Sequence, residues 1–268
     1  MKTLTSFIQR NPLAAYFALA FAFAWILAPL IAISPIYGLP GLFAPALAGI
    51  IVSRATGSRT HVGLLLRKLA IWRVSFIWYL IALGLPFVIS FLVAVLGRFF
   101  DADPVFQLAP VTPLALVVFV LVVGEELGWR GYAQPQLEKS YSPLVAAIIL
   151  GVLWGFWHLP NFFIPGLSHV EIPLAAFVIY TTALSVLAAW LLKLTRGSVL
   201  IATLLHGATN TFGFLTPGLH TGTRWWLIAS VYCTAALLVA IIYGVQLHGT
   251  QPTENLDPPL TTSPHPEA

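Results

Sequence analysis

Charge is what this sequence has least of. Only 8% of its 268 residues are charged, against 59% hydrophobic, where an ordinary soluble domain carries about 25% charge. That much apolar side chain cannot be hidden inside a water-soluble fold, so a soluble globular enzyme is excluded. Cysteine is almost absent as well. Cys233 alone rules out an intrachain disulfide, a CxxC redox pair or a cysteine zinc cluster, and a single thiol in an apolar stretch reads as core packing. The net charge of +4 is scattered through short loops with no basic arm, so nucleic acid is not an expected partner. No internal repeat is visible.

What is present in abundance is long apolar runs. They cover residues 13–34, 39–53, 75–97, 112–139, 143–163, 171–192, 198–215 and 225–247, and a helix of about 20 such residues spans a bilayer. The expected fold is therefore all-α, a polytopic bundle of about eight transmembrane helices, with membrane lipid as its surroundings. The second run is short and holds Pro40 and Pro45. Lys2 and Arg10 precede the first run as in a signal peptide, but that run is too long for one and reads as an uncleaved helix. Residues 54–73 read as an amphipathic helix on the membrane surface with Trp72 at headgroup level. One membrane domain over 1–247 is expected. The tail 248–268 has five prolines, three acids and no basic residue, and is expected to be disordered.

Placing both termini in the cytoplasm of a multi-pass cell-membrane protein leaves only Arg98 and Arg224, of thirteen basic residues, outside. The positive-inside rule favours that topology.

Of nine acidic residues, only Glu125 and Glu126 interrupt a spanning run. A carboxylate at membrane depth costs several kcal/mol, roughly 2.5–3.5 by insertion scales, so the pair is a functional candidate. Glu126 stands four residues before Arg130 on one helix face, and an ion pair there accounts for it as well as chemistry does. Glu125 points about 100° away and is not explained by that pair.

Among seven histidines, only His158 and His206 lie within apolar segments. Ser142-Pro143 supplies an N-cap followed by proline at the first helical position, which fixes a helical hairpin turning near Tyr141. Glu125 lies 16 residues before Tyr141 and His158 lies 17 after it, so the two stand at nearly equal depth. His206 and Asn210, spaced i, i+4, face one way on the next-but-one helix at a similar depth.

These groups permit hydrolysis of a carbonyl substrate. A carboxylate in apolar surroundings is a competent general base near neutral pH, and His158 could hold the same water. His206 and the Asn210 amide could donate to an oxyanion. Other intramembrane protease chemistries lack their residues: there is no HExxH, no GxSxG and no aspartate inside a span.

Three motifs then carry a resemblance. Glu125-Glu126-Leu127-Gly128-Trp129-Arg130 fits EExxxR, Trp154-Gly155-Phe156-Trp157-His158 fits an aromatic-xxx-His motif, and His206-Gly207-Ala208-Thr209-Asn210 fits HxxxN. In this order the chain resembles the CPBP intramembrane protease family, which includes type II CAAX prenyl endopeptidases and bacteriocin-processing or abortive-infection proteins. The resemblance covers residues 112–213. It implies Glu125 and His158 as the water-activating pair, His206 and Asn210 as oxyanion donors, and Glu126 with Arg130 ordering them. It implies a membrane-associated hydrophobic or lipidated peptide or protein as substrate, such as a prenylated one. Metal dependence stays open: Glu125, His158 and His206 could ligate zinc or work without it. Asn210 replaces the aspartate of other members, which tilts against a further metal carboxylate. Two other classes remain beside the protease: a non-proteolytic immunity or scaffold protein, and a proton-coupled transporter using Glu125 and the histidines as a relay. The paired repeats of many transporters are not seen.

Overall fold

The computed structural model describes residues 2–57, 59–100 and 107–248. The tail expected to be disordered lies, beyond His248, outside the described residues, as do Asp101 and Asp103. Among the described residues the regular secondary structure is all helical, apart from one isolated bridge between Leu108 and Phe214. In chain order the helices are α1 (Lys2–Arg10), α2 (Pro12–Trp25), α3 (Ala28–Ile31), α4 (Ala44–Thr56), α5 (Arg59–Arg67), α6 (Phe76–Gly97) and α7 (Pro113–Leu121). They continue with α8 (Val123–Glu126), α9 (Gln134–Leu137), α10 (Pro143–Trp157), α11 (Leu174–Leu194), α12 (Val199–Thr211) and α13 (Thr221–Tyr243).

Among the described residues six stretches are long and apolar enough to cross a membrane: Pro12–Ile31, Pro35–Thr56, Phe76–Phe100, Pro143–Phe163, Leu174–Leu194 and Thr221–Tyr243. The second is longer than the sequence suggests, because Pro35–Phe43 winds as a 3-10 helix that leads straight into α4. Large apolar side chains such as Leu80, Val88, Leu114, Leu237 and Ile241 face outward, as a lipid-facing surface requires. The protein is a multi-pass membrane protein. The two remaining apolar runs behave differently. Run 112–139 is divided into α7, α8, a π-helix over Leu127–Ala133 and α9. Run 198–215 forms the 13-residue α12, about 20 Å long.

Caps explain where the key helices begin. The Ser142 hydroxyl accepts from the Val145 amide ahead of Pro143, Ser198 does the same for Ile201, and Thr112 does so for Ala115 ahead of Pro113. α10 packs along α11, and α11 along α13, while α12 is held between α6, α7 and α11.

Small residues set the closest of these contacts. A methyl group added to Gly151 would lie 2.5 Å from the Thr182 Cα, and one added to Gly155 would lie 2.7 Å from the Thr181 hydroxyl. Across the same seam the Ser185 hydroxyl donates to the Ala147 carbonyl at 2.7 Å and Thr181 donates to the Gly151 carbonyl at 3.2 Å. In lipid, where apolar burial does not drive association, such close packing and hydrogen bonding hold helices together. Gly151→Val should therefore force α10 off α11, lowering stability by about 1–3 kcal/mol or more. Thermal melting in detergent measures it, and unchanged melting would mean the seam can open without cost.

Polar contacts bind one end of the bundle. Gln9 donates to the Ala55 carbonyl, Lys68 to that of Gly131, and Arg196 to that of Arg73. Ser198 donates to the Ile71 carbonyl, Lys193 pairs with Glu138, and the Leu144 amide donates to Val245. The surface segment 54–73 ends here, with Trp72 exposed and the Arg73 guanidinium over its ring. Burial holds the Lys68 ammonium below its usual range.

Candidate active site

The π-helix and its neighbours place the two glutamates. Gly128 lies against the backbone of Pro45, where an added methyl would come within 2.3 Å of its carbonyl carbon. That contact seats the glutamate segment tightly against the start of α4, and a π-helical turn at such a place is a frequent feature of functional sites. Glu126 and Arg130 are both 0% exposed, with Oε2 and Nε 3.4 Å apart. The Arg130 guanidinium also sits over the Trp154 ring, 5.1 Å from its centroid.

Glu126 has a second partner. His206 Nδ1 lies 3.0 Å from Glu126 Oε1. An ionised carboxylate only accepts, so Nδ1 carries the proton and Nε2 is the ring nitrogen left for other work. Glu126 is thus shared between Arg130 and His206.

Glu125 turns the other way. Its Oε2 accepts a hydrogen bond from Trp154 Nε1 at 2.8 Å. The carbonyl of the same tryptophan accepts from His158 Nδ1 at 2.9 Å, which leaves His158 Nε2 with a free lone pair in the neutral ring. The Trp154 ring also meets His206 edge to face, with centroids 4.9 Å apart. One residue therefore contacts Glu125, Arg130 and His206 through its side chain and His158 through its carbonyl.

Glu125, His158, His206 and Asn210 line a single cavity of about 630 Å³, within the range of small-molecule sites. Glu126 and Arg130 lie behind its wall and do not line it. The Asn210 amide is exposed, with no hydrogen bond to another described residue. Much of the remaining wall is apolar or aromatic, including Trp25, Trp157, Phe177 and Tyr180. Among the described residues no three His, Cys, Asp or Glu side chains stand together as a metal site.

Known proteins share this core. Residues 107–212 match the family model for type II CAAX prenyl endopeptidase Rce1-like proteins. The motif core is similar to that of Rce1-like proteins. A curated relative, CAAX prenyl protease 2 of Methanococcus maripaludis, is 29% identical over 104 residues. That match spans 37% of this chain and 38% of the relative. All six residues singled out from the sequence fall inside the matched segment.

Several cavity residues escape sequence reasoning. Trp154 is visible there only as the aromatic that opens the second motif. His169 lies in a 3-10 turn, Ser168–Glu171, in the connection between α10 and α11, and its ring stacks on that of His158 with centroids 6.0 Å apart. Burial pushes the His169 imidazole down to about 4, so the ring is neutral at physiological pH. The polar island Ser168-His169-Val170-Glu171 between two spans is the one signal the sequence offers. Arg224 and Tyr232 also line the cavity, from α13 and outside the matched segment.

Proposed function

We propose that this protein is an intramembrane endopeptidase that hydrolyses a peptide bond in an apolar or lipid-modified substrate held in the membrane. The observation that carries this reading is the convergence of three separate motifs on one apolar-walled cavity, with Glu125, His158, His206 and Asn210 all facing it. The likeness to Rce1-like endopeptidases adds support from outside the geometry.

In this mechanism Glu125 takes a proton from a water that His158 Nε2 helps to hold, and the oxygen attacks the peptide carbonyl carbon. The oxyanion that forms receives hydrogen bonds from the Asn210 amide and, when the ring carries its second proton, from His206 Nε2. The Glu126 carboxylate balances that charge, and Arg130 keeps Glu126 in place. Glu125 then passes its proton to the amine nitrogen as the carbon–nitrogen bond breaks, leaving a carboxylic acid and an amine. Trp154 is a positioning residue, since it holds Glu125 through its indole N–H and His158 through its carbonyl.

Purified protein in detergent should cleave a quenched fluorescent peptide with a prenylated cysteine near its C-terminus. The rate should be unchanged by a chelator, because the water is activated by a carboxylate and an imidazole. Loss of activity with chelator and recovery with zinc would reassign Glu125 and the histidines as ligands. Absence of any hydrolysis would favour the scaffold or transporter readings instead. Asn210→Ala should lower kcat by about 10²–10³-fold with little change in KM, as expected for an oxyanion donor. A change confined to KM would place Asn210 in substrate binding.

A further inference from the structure

The cavity and the basic residues sit at opposite ends of the bundle. Helices that start beside a lysine or arginine reach the cavity in their second halves: α2 follows Arg10 and contributes Trp25, its last residue, while α6 follows Arg73 and contributes Ile89 and Val93. In the same way α10 follows Lys139 and contributes Trp157, and α12 follows Arg196 and contributes Asn210. α11 and α13 run the other way, and they contribute Phe177 and Trp225 from their first turns. The polar contacts among Gln9, Lys68, Arg73, Lys193 and Arg196 close the end remote from the cavity.

Depth follows from helix length. The 15 residues of α10 rise about 22 Å from the basic end, so His158 stands about 8 Å short of the other face of a 30 Å hydrocarbon core. The basic residues at the cavity end are Arg98 and Arg224. Arg224 lines the cavity itself, so a role in the site accounts for it and Arg98 is the one exception to the charge bias.

Short basic segments stay in the cytoplasm during insertion. We infer that the cavity opens on the non-cytoplasmic side of the membrane, and that the substrate is a membrane-proximal segment of an exported polypeptide. The orientation needs only the charge distribution and the place of the cavity. The substrate class rests on the endopeptidase reading above.

Cysteine labelling separates the two. In a Cys233→Ser background, Ser168→Cys reports the exposed loop at the cavity rim, and Tyr141→Cys reports the exposed turn before α10. In right-side-out spheroplasts a membrane-impermeant maleimide should label Ser168→Cys, and should label Tyr141→Cys only after permeabilisation. Val170→Cys, exposed on the same loop, is a second reporter should Ser168→Cys fold poorly. The reverse pattern, or labelling of both positions in sealed spheroplasts, overturns the orientation. A quenched apolar peptide added outside should be cut by sealed spheroplasts and spared by those carrying Glu125→Gln. Cleavage confined to inside-out vesicles overturns the proposal. External labelling with no cleavage in either preparation leaves the orientation standing and removes the substrate class together with the endopeptidase reading.

Discussion

Glu125→Gln will fold as the parent does and will lose hydrolysis by about 10²-fold or more, the range for removing a general base. The glutamine oxygen can still accept the Trp154 indole hydrogen bond that Glu125 Oε2 takes at 2.8 Å, so shape and packing are retained while basicity is lost. Melting in detergent should match the parent, and the cleavage rate of the quenched peptide should fall in kcat. A variant that keeps its rate would remove Glu125 from the water-activating step.

Arg130→Ala should damage stability more than any surface change. Both partners of the Glu126–Arg130 pair are fully buried, and removing one leaves the other charge without compensation, a loss of about 3–5 kcal/mol. The truncation also takes the guanidinium from the face of Trp154, which positions Glu125 and His158. Melting temperature and activity should therefore fall together. The double variant Glu126→Gln with Arg130→Met should melt closer to the parent, since it buries no unpaired charge, yet it should remain poorly active because His206 loses its carboxylate. Unchanged melting of Arg130→Ala would mean that the arginine is solvated.

Much of this architecture is legible in the amino-acid sequence alone, for definite physical reasons. Lipid forces helices to be long and apolar, so eight apolar runs stand out by composition, and six long apolar spans are present among the described residues. The Ser142-Pro143 start and the i, i+4 spacing of Glu126 and Arg130 are local features that depend on no distant partner, and both are present in the fold. What stays hidden depends on packing between distant segments. Periodicity at 3.6 residues gives no warning of the π-helical winding of Leu127–Ala133, which arises where Gly128 meets Pro45. Spacing pairs Glu126 with Arg130 but cannot show that His206, 80 positions later, bonds the same carboxylate. Trp154 looks like one more membrane tryptophan, because its four polar and ring contacts come from three helical segments. His169 reads as an ordinary loop residue, although the loop folds back over the cavity. The 112–139 run reads as one span, since apolar composition does not reveal a break.

The seam of Gly151, Gly155, Thr181 and Ser185 has a consequence for how a cut site is chosen. Helices meeting at such short range cannot slide past one another, so α10 has a single height against α11, and Trp154, Glu125 and His158 are fixed at that height. A substrate threaded into the membrane is then measured rather than read. The bond that is cleaved is the one lying at the right distance from the bilayer surface, and lengthening the polar segment ahead of it should move the cut by the same number of residues, whatever their identity.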